Sequence, residues 1–244
     1  AMSSNSTSTP STEDHPSIPA IASSQRIDVM VKSIEQLGRV VRPKFYGLEN
    51  VTSEPALFVG NHTLYGVIDV PFMIAELWRS HGLAIRSLGD HRHWAVPVWR
   101  EFLEAFGSVR GTRENTAELM RRGEPILVFP GGAREVNKRR GEQYTLIWKN
   151  RLGFARLAID HGYPIVPFAA VGGEEVYKVL VDDGNVLHHG ASRLIETIAP
   201  GCSMPTIARG IGPTLLPRPQ RLYFWIGEPI DTAAYADYGD AGVR

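Results

Sequence analysis

Two side chains in one short stretch, His62 and Asp69, are of the types that move protons. Imidazole titrates near neutral pH, so His62 can act as a general base, a role worth roughly 100-fold to 10,000-fold in rate. A carboxylate on the other ring nitrogen would fix the tautomer and stabilise the imidazolium, and Asp69 is the candidate. Asp69 also precedes Val70-Pro71, where a carboxylate can simply cap a helix. Further on, Gly131 and Gly132 follow an apolar run and Pro130. Paired glycines either form a tight turn or present backbone amides to an oxyanion or a phosphate. Arg113 and Arg134 are suited to binding an anion or an acceptor, and Glu135 beside Arg134 can join them or shape the loop.

These residues need elements to hold them. Ala56 to Gly60 is a short apolar run ending on Gly and reads as a buried strand that delivers His62 into a loop. Asp69 opens a helix that ends near Gly82; Leu83 to Leu88 reads as a strand, Val96 to Phe106 as a helix, and Gly107 to Gly111 as a strand end or loop. Asn115, with Glu118 three residues on, predicts a cap for a helix to Arg122. Pro125 to Phe129 and Pro164 to Val171 read as strands, joined by a long helix from about Leu146 to His161. Residues 172–220 are rich in Gly and Pro and predict loops around a short helix near Ser192 to Ile198, before Arg221 to Gly227 closes the sheet. In the segment Gln25 to Val41, Ile27, Met30, Val31, Ile34, Leu37 and Val41 recur at helical spacing, which makes an amphipathic helix. The alternation predicts a single α/β domain over residues 25–244 with a mostly parallel central sheet flanked by helices. Residues 1–24, rich in Ser, Thr and Pro, read as a disordered tail.

Composition narrows the classes. The 244 residues carry 26 basic and 26 acidic side chains, a balance that gives no reason to expect nucleic acid as a partner. The single cysteine, Cys202, forms no internal disulfide and fits a reducing compartment, so a cytoplasmic setting is expected. No apolar run approaches the roughly 20 residues that span a bilayer. His91-Arg92-His93 and His188-His189 lack ligand-spaced partners, so no metal is expected.

Four segments sit where strands end, the edge at which open α/β sheets bind ligands. They are Gly60 to Asp69, Phe106 to Glu114, Phe129-Pro-Gly-Gly-Ala-Arg-Glu135 and Ile165-Val-Pro-Phe168. In order and spacing they resemble the four blocks of the lysophospholipid acyltransferase family. The third is most similar to the variant of the diacylglycerol acyltransferase and phytyl ester synthase branch, and Gly227 to Ile230 resembles the family's closing strand. Two departures stand out. Six residues separate His62 from Asp69 where the family usually has four, and the third block has Gly131-Gly132-Ala133-Arg134 in place of an acidic Glu-Gly-Thr-Arg.

The resemblance implies a glycerol-3-phosphate acyltransferase-like fold and an O-acyltransferase. His62 and Asp69 would carry the chemistry, and Arg113, Gly131, Gly132, Arg134 and Glu135 would contact substrate. It implies no cofactor, an acyl-CoA or acyl carrier thioester as co-substrate, and a lysophospholipid, diacylglycerol or long-chain alcohol as acceptor. No Gly-x-Ser-x-Gly elbow is present, so direct attack by the acceptor is expected rather than an acyl-serine. The loss of the acidic residue favours an uncharged acceptor over glycerol-phosphate. A thioesterase using the same histidine, or an inactive lipid-binding relative kept in play by the altered spacing, are the alternatives. The 25–41 helix, with Trp94 and Trp99 beside Arg92 and Arg100, predicts peripheral membrane contact. Lys138-Arg139-Arg140 is a solvated face or a contact for anionic lipid or coenzyme A phosphates, and Glu174-Glu175 has no assigned role.

Overall fold

The second strand, β2 (Leu57–Gly60), is apolar on both faces and buried along its length, as a strand inside a two-side-covered parallel sheet should be. The computed structural model describes residues 18–66, 68–95, 97–182, 184–198 and 206–243. Positions 1–17, most of the Ser/Thr/Pro-rich segment, and Cys202 lie outside them.

Beside β2 run β5 (Ile126–Val128) and β6 (Ile165–Val171), both parallel to it. Beyond β5 come β3 (Arg86–Gly89) and β4 (Val109–Arg110), again parallel. Beyond β6, β9 (Tyr223–Ile226) runs antiparallel and pairs in parallel with β1 (Lys44–Tyr46). The order is β1-β9-β6-β2-β5-β3-β4. The register sets Val59 beside Val128, and Leu127 beside Ser87, so the carboxyl ends of β2, β5 and β3 share one edge.

Alternating residues of β2 feed two cores. Phe58 packs with Phe72, Met73 and Leu77 of α2 (Asp69–His81). Leu57 and Val59 pack with Leu119 of α4 (Arg113–Arg121) and with Leu157 and Ala158 of α6 (Gly153–Asp160). Each large side chain so buried contributes about 1.5–3 kcal/mol. Helix α1 (Ser24–Val41) lays Ile27 and Val31 against Ala75 and Trp78 of α2, so its apolar stripe is in part core.

Several expected elements are corrected. Helix α4 starts three residues earlier than Asn115 implies, because Thr112 is the cap and accepts the Asn115 N–H at 3.1 Å. The helix expected from Leu146 is confined to Gly153–Asp160; Lys149 sits at φ 52 and breaks the path before it. A short helix, α5 (Gly132–Val136), follows the paired glycines instead. Within 172–220, β7 (Lys178–Val181) and β8 (Ile207–Arg209) form a separate antiparallel pair, and α7 (Val186–Ile198) is longer than its predicted second half. Among the described residues no helix is long and apolar enough to cross a membrane.

Candidate active site

The segment after β2 is clipped to the sheet before it turns. The Asn61 side chain donates to the Ala170 carbonyl at 2.8 Å and accepts the Ala170 N–H at 2.7 Å, a two-way bond to β6. His62 follows, its ring stacked on Phe129 at 3.9 Å between centroids and tilted by 12°. Phe129 comes from the end of β5, so two neighbouring strands aim an imidazole and its platform at one point.

The two additional residues of the His62 loop are taken up by a tight coil. Tyr65 and Gly66 both adopt left-handed φ, 65° and 64°, and the Gly66 N–H closes on the Thr63 carbonyl at 3.0 Å. A left-handed non-glycine costs roughly 1–2 kcal/mol. Tyr65 offsets it by donating its hydroxyl to the Thr206 carbonyl at 2.6 Å and accepting the Ala208 N–H at 3.0 Å. Gly66 has no substitute: a Cβ there would lie 2.2 Å from His62 Cε1.

The coil returns Asp69 to His62. Asp69 is 1% exposed, and its Oδ2 lies 2.9 Å from His62 Nδ1 while accepting the Thr63 N–H at 2.7 Å. Its Oδ1 accepts the Val70 N–H at 2.9 Å. Burial alone would raise its pKa, but the His62 charge and these hydrogen bonds outweigh burial and hold it below the ordinary carboxylate range. The cap alternative is corrected here: Asp69 is the first helical residue, Ile68 occupies the cap position, and the carboxylate is turned toward His62. With Nδ1 facing a carboxylate, the imidazole presents Nε2 as its proton acceptor.

Glu135 stands behind the histidine, buried within the protein. It is 0% exposed and its Oε2 accepts the His62 N–H at 3.0 Å. Burial raises its pKa, against the opposing pull of the His62 amide, the Lys138 charge and the Ile147 amide. Gly131 makes room for it, since a Cβ at Gly131 would sit 2.2 Å from Glu135 Oε2. The Gly132 N–H is committed to the Phe129 carbonyl at 2.9 Å, so this amide closes a turn. Arg134 is likewise engaged: its Nη2 donates to Glu142 Oε1 at 2.5 Å and Nη1 to the Asn137 carbonyl at 3.2 Å. Of the residues expected to meet substrate, Arg113 is the exposed one, in the first turn of α4 just past the carboxyl end of β4.

Three features escaped the sequence. Arg151 donates one Nη1 to the carbonyls of both Pro130 and Gly131, at 3.1 and 2.8 Å, and so fixes the turn from a site twenty residues away. Glu174 pairs with Lys138 as a buried ion pair and also accepts the Tyr144 N–H, which accounts for one of the two unassigned glutamates. His93, after β3, accepts the Trp99 indole N–H on Nδ1 at 3.0 Å; burial lowers its pKa, and the Arg92 and His62 charges add to that. Only the run of Gly131 to Glu135 signals any of this in the sequence, and it does not say which side chain points inward. Among the described residues, no group of three or more His, Cys, Asp or Glu is placed to hold a metal ion.

Residues 42–171, which contain His62, Asp69, Phe129 and Glu135, match the acyltransferase family model. The chain belongs to the acyltransferase family. This family member is 30% identical over 229 residues to phytyl ester synthase 2, chloroplastic, of Arabidopsis thaliana, covering 84% of the chain and 31% of that protein. It is 32% identical over 146 residues to the mouse DGAT1/2-independent enzyme synthesizing storage lipids, covering 56% of the chain and 44% of that protein. The chain thus spans less than half the length of these curated relatives. Among solved structures, the 1-acyl-sn-glycerophosphate acyltransferase PlsC of Thermotoga maritima superposes with a TM-score of 0.54 at 14% identity, over 89% of this acyltransferase-family chain and 76% of PlsC. The likeness shows a shared fold: a mostly parallel sheet flanked by helices.

Proposed function

We propose that this chain is an O-acyltransferase in which His62 is the general base and Asp69 its orienting carboxylate. The observation that carries the reading is the 2.9 Å contact between His62 Nδ1 and the buried Asp69 Oδ2, on the carboxyl edge of a parallel sheet and inside an acyltransferase domain. The acceptor hydroxyl oxygen attacks the thioester carbonyl carbon as its proton passes to His62 Nε2. The tetrahedral intermediate collapses, the carbon–sulfur bond breaks, and the imidazolium returns the proton to the departing thiolate. Asp69, already charged, stabilises the imidazolium between these steps.

The donor is an acyl thioester, acyl-CoA or an acyl carrier. The acceptor is an uncharged lipid hydroxyl, a diacylglycerol or long-chain alcohol ahead of a lysophospholipid. The missing acidic residue of the third block supports this, and the relatives are named for a phytyl ester and for storage lipids. Peripheral membrane contact is supported by α3 (Pro97–Ala105), where Val98, Trp99 and Phe102 are exposed and Trp99 stacks on Phe102 at 5.2 Å. Trp94 has no part in it: it is buried and donates to Glu104.

Product mass spectrometry with an acyl thioester and a panel of lipid acceptors, with and without acceptor, tests the reading. Acyl ester that forms only with acceptor, and that falls about 100-fold or more in folded His62→Ala, is expected. Unchanged turnover in that variant overturns the base assignment, and free fatty acid as the sole product makes the protein a hydrolase.

A further inference from the structure

The run Lys138-Arg139-Arg140 is not one face of the protein. Lys138 is 4% exposed and turned inward to Glu174. Arg140 instead lines a cavity of about 350 Å³ together with Lys178, Arg218, Gln143, Gln220 and Tyr177. That volume lies within the range of small-molecule sites, roughly 300–1,000 Å³.

The lining is cationic. Arg140, Lys178 and Arg218 share it with one carboxylate, Glu175. Both guanidinium groups are steadied by main-chain carbonyls, Arg140 Nη2 on Leu180 at 2.9 Å and Arg218 Nε on Gly210 at 3.1 Å, which orient a positive charge without neutralising it. Neighbouring acids have other work: Glu174 serves Lys138 and the Tyr144 amide, and Asp182 accepts the Arg140 N–H. Guanidinium forks, an ammonium and two carboxamides match phosphate oxygens.

The wall of the cavity also touches the loop that carries the chemistry. Tyr177 forms its wall and meets Tyr65 edge-on at 5.3 Å between ring centroids. Tyr65 belongs to the coil between His62 and Asp69. One aromatic contact therefore separates the cationic cavity from the loop that carries the base.

We infer that this cavity binds the phosphate groups of a small-molecule acyl-thioester carrier, whose thioester arm extends from there toward His62. The inference rests on the acyl-thioester reading above, and it selects a phosphorylated small carrier as the donor. Lipid headgroups offer the same phosphate chemistry, so the test separates the two.

The variant is R140Q/K178Q, which removes two charges and keeps polar side chains of similar reach. Binding of thiol-free coenzyme A and of inorganic pyrophosphate is measured by calorimetry, and turnover is compared between an acyl-CoA and the matching phosphate-free acyl-pantetheine. Both ligands are expected to bind the wild type competitively and more weakly as salt rises. The variant is expected to lose about tenfold or more in both affinities, and to lower the ratio of kcat/KM for acyl-CoA over acyl-pantetheine by a similar factor. Equal binding to both proteins, no binding at millimolar ligand, or an unchanged ratio overturns the inference. A change confined to KM for a phosphate-bearing lipid acceptor also overturns it and assigns the cavity to a headgroup. If neither protein transfers acyl groups, the proposed reaction fails, while the binding measurement still decides the cavity.

Discussion

Replacing Asp69 by asparagine removes one charge from a site that is 1% exposed and already filled with donors. The carboxylate accepts from His62 Nδ1 and the Thr63 N–H on one oxygen and from the Val70 N–H on the other. An asparagine must put its NH2 against one of these sets. If it faces Oδ2's partners, the Thr63 N–H is left without an acceptor and His62 is pushed to the tautomer with its proton on Nε2, which is no base. If it faces Val70, that N–H is orphaned and the imidazolium still loses its counter-charge. A buried donor left unpaired costs about 1–3 kcal/mol, which for a chain of this size lowers Tm by roughly 2–12 °C. Loss of the orienting charge lowers turnover by about 100-fold to 10,000-fold. Treating Asp69 as a cap alone leads to the opposite outcome, a nearly silent asparagine, since Asn caps as well as Asp. Thermal melts and acyl-transfer assays on one preparation separate the two. Near wild-type turnover in folded Asp69→Asn refutes the dyad, whatever happens to Tm. A pH series adds an independent check. Because the native Asp69 pKa is lowered, its contribution to stability is present above the ordinary carboxylate range and is lost as pH falls through the lowered native value. The Asn variant should lack that acid-side loss.

Gly66→Ala should cost roughly 1–2 kcal/mol for its left-handed backbone, yet lower turnover about tenfold or more, because the new Cβ lies 2.2 Å from His62 Cε1. Turnover that falls no further than the fraction unfolded would show that the ring position is unimportant. Glu135→Gln should keep an acceptor for the His62 N–H and most of the turnover, while Glu135→Ala should lose about 1–3 kcal/mol of stability and much of the turnover. Since burial raises the Glu135 pKa, its favourable contribution is full below its ordinary value and is lost as pH rises through the raised one. Melts between about pH 4 and 7 should therefore shift in favour of the Gln variant as pH rises. Arg113→Gln should raise acceptor or donor KM severalfold with little change in Tm, and Arg134→Gln should lower Tm and leave KM nearly unmoved, because Arg134 is bound to Glu142. The reverse pattern would return Arg134 to the substrate.

Sequence pattern went a long way with the strands. Leu57 to Gly60, Ile126 to Val128 and Ile165 to Val171 are short continuous apolar runs bounded by Pro and Gly, which leaves little else they can be. It failed where local signals compete. Asn115 reads as a cap in the sequence, yet the backbone places it inside the first turn and makes Thr112 the cap. Leu146 to Arg151 has helical composition but is irregular, with Lys149 left-handed at φ 52 and Arg151 bound to the 130–131 turn, as when tertiary context overrides propensity.

For the site, the sequence by itself determined which side chains could do chemistry: a histidine after a buried strand, an acid a few residues on, and a Gly-Gly turn after the neighbouring strand. It could not choose among their roles. Six intervening residues leave the His62 to Asp69 distance open, since a loop of that length can coil or extend. The tertiary structure decided it through the left-handed pair Tyr65 and Gly66, held by Thr206 and Ala208 from about 140 residues away. The same long-range packing turned Glu135 and Lys138 inward, and left Arg113 and Arg140 facing solvent. Charge type is written in the chain, but which charges are buried, paired or free depends on elements far apart in sequence meeting at one sheet edge.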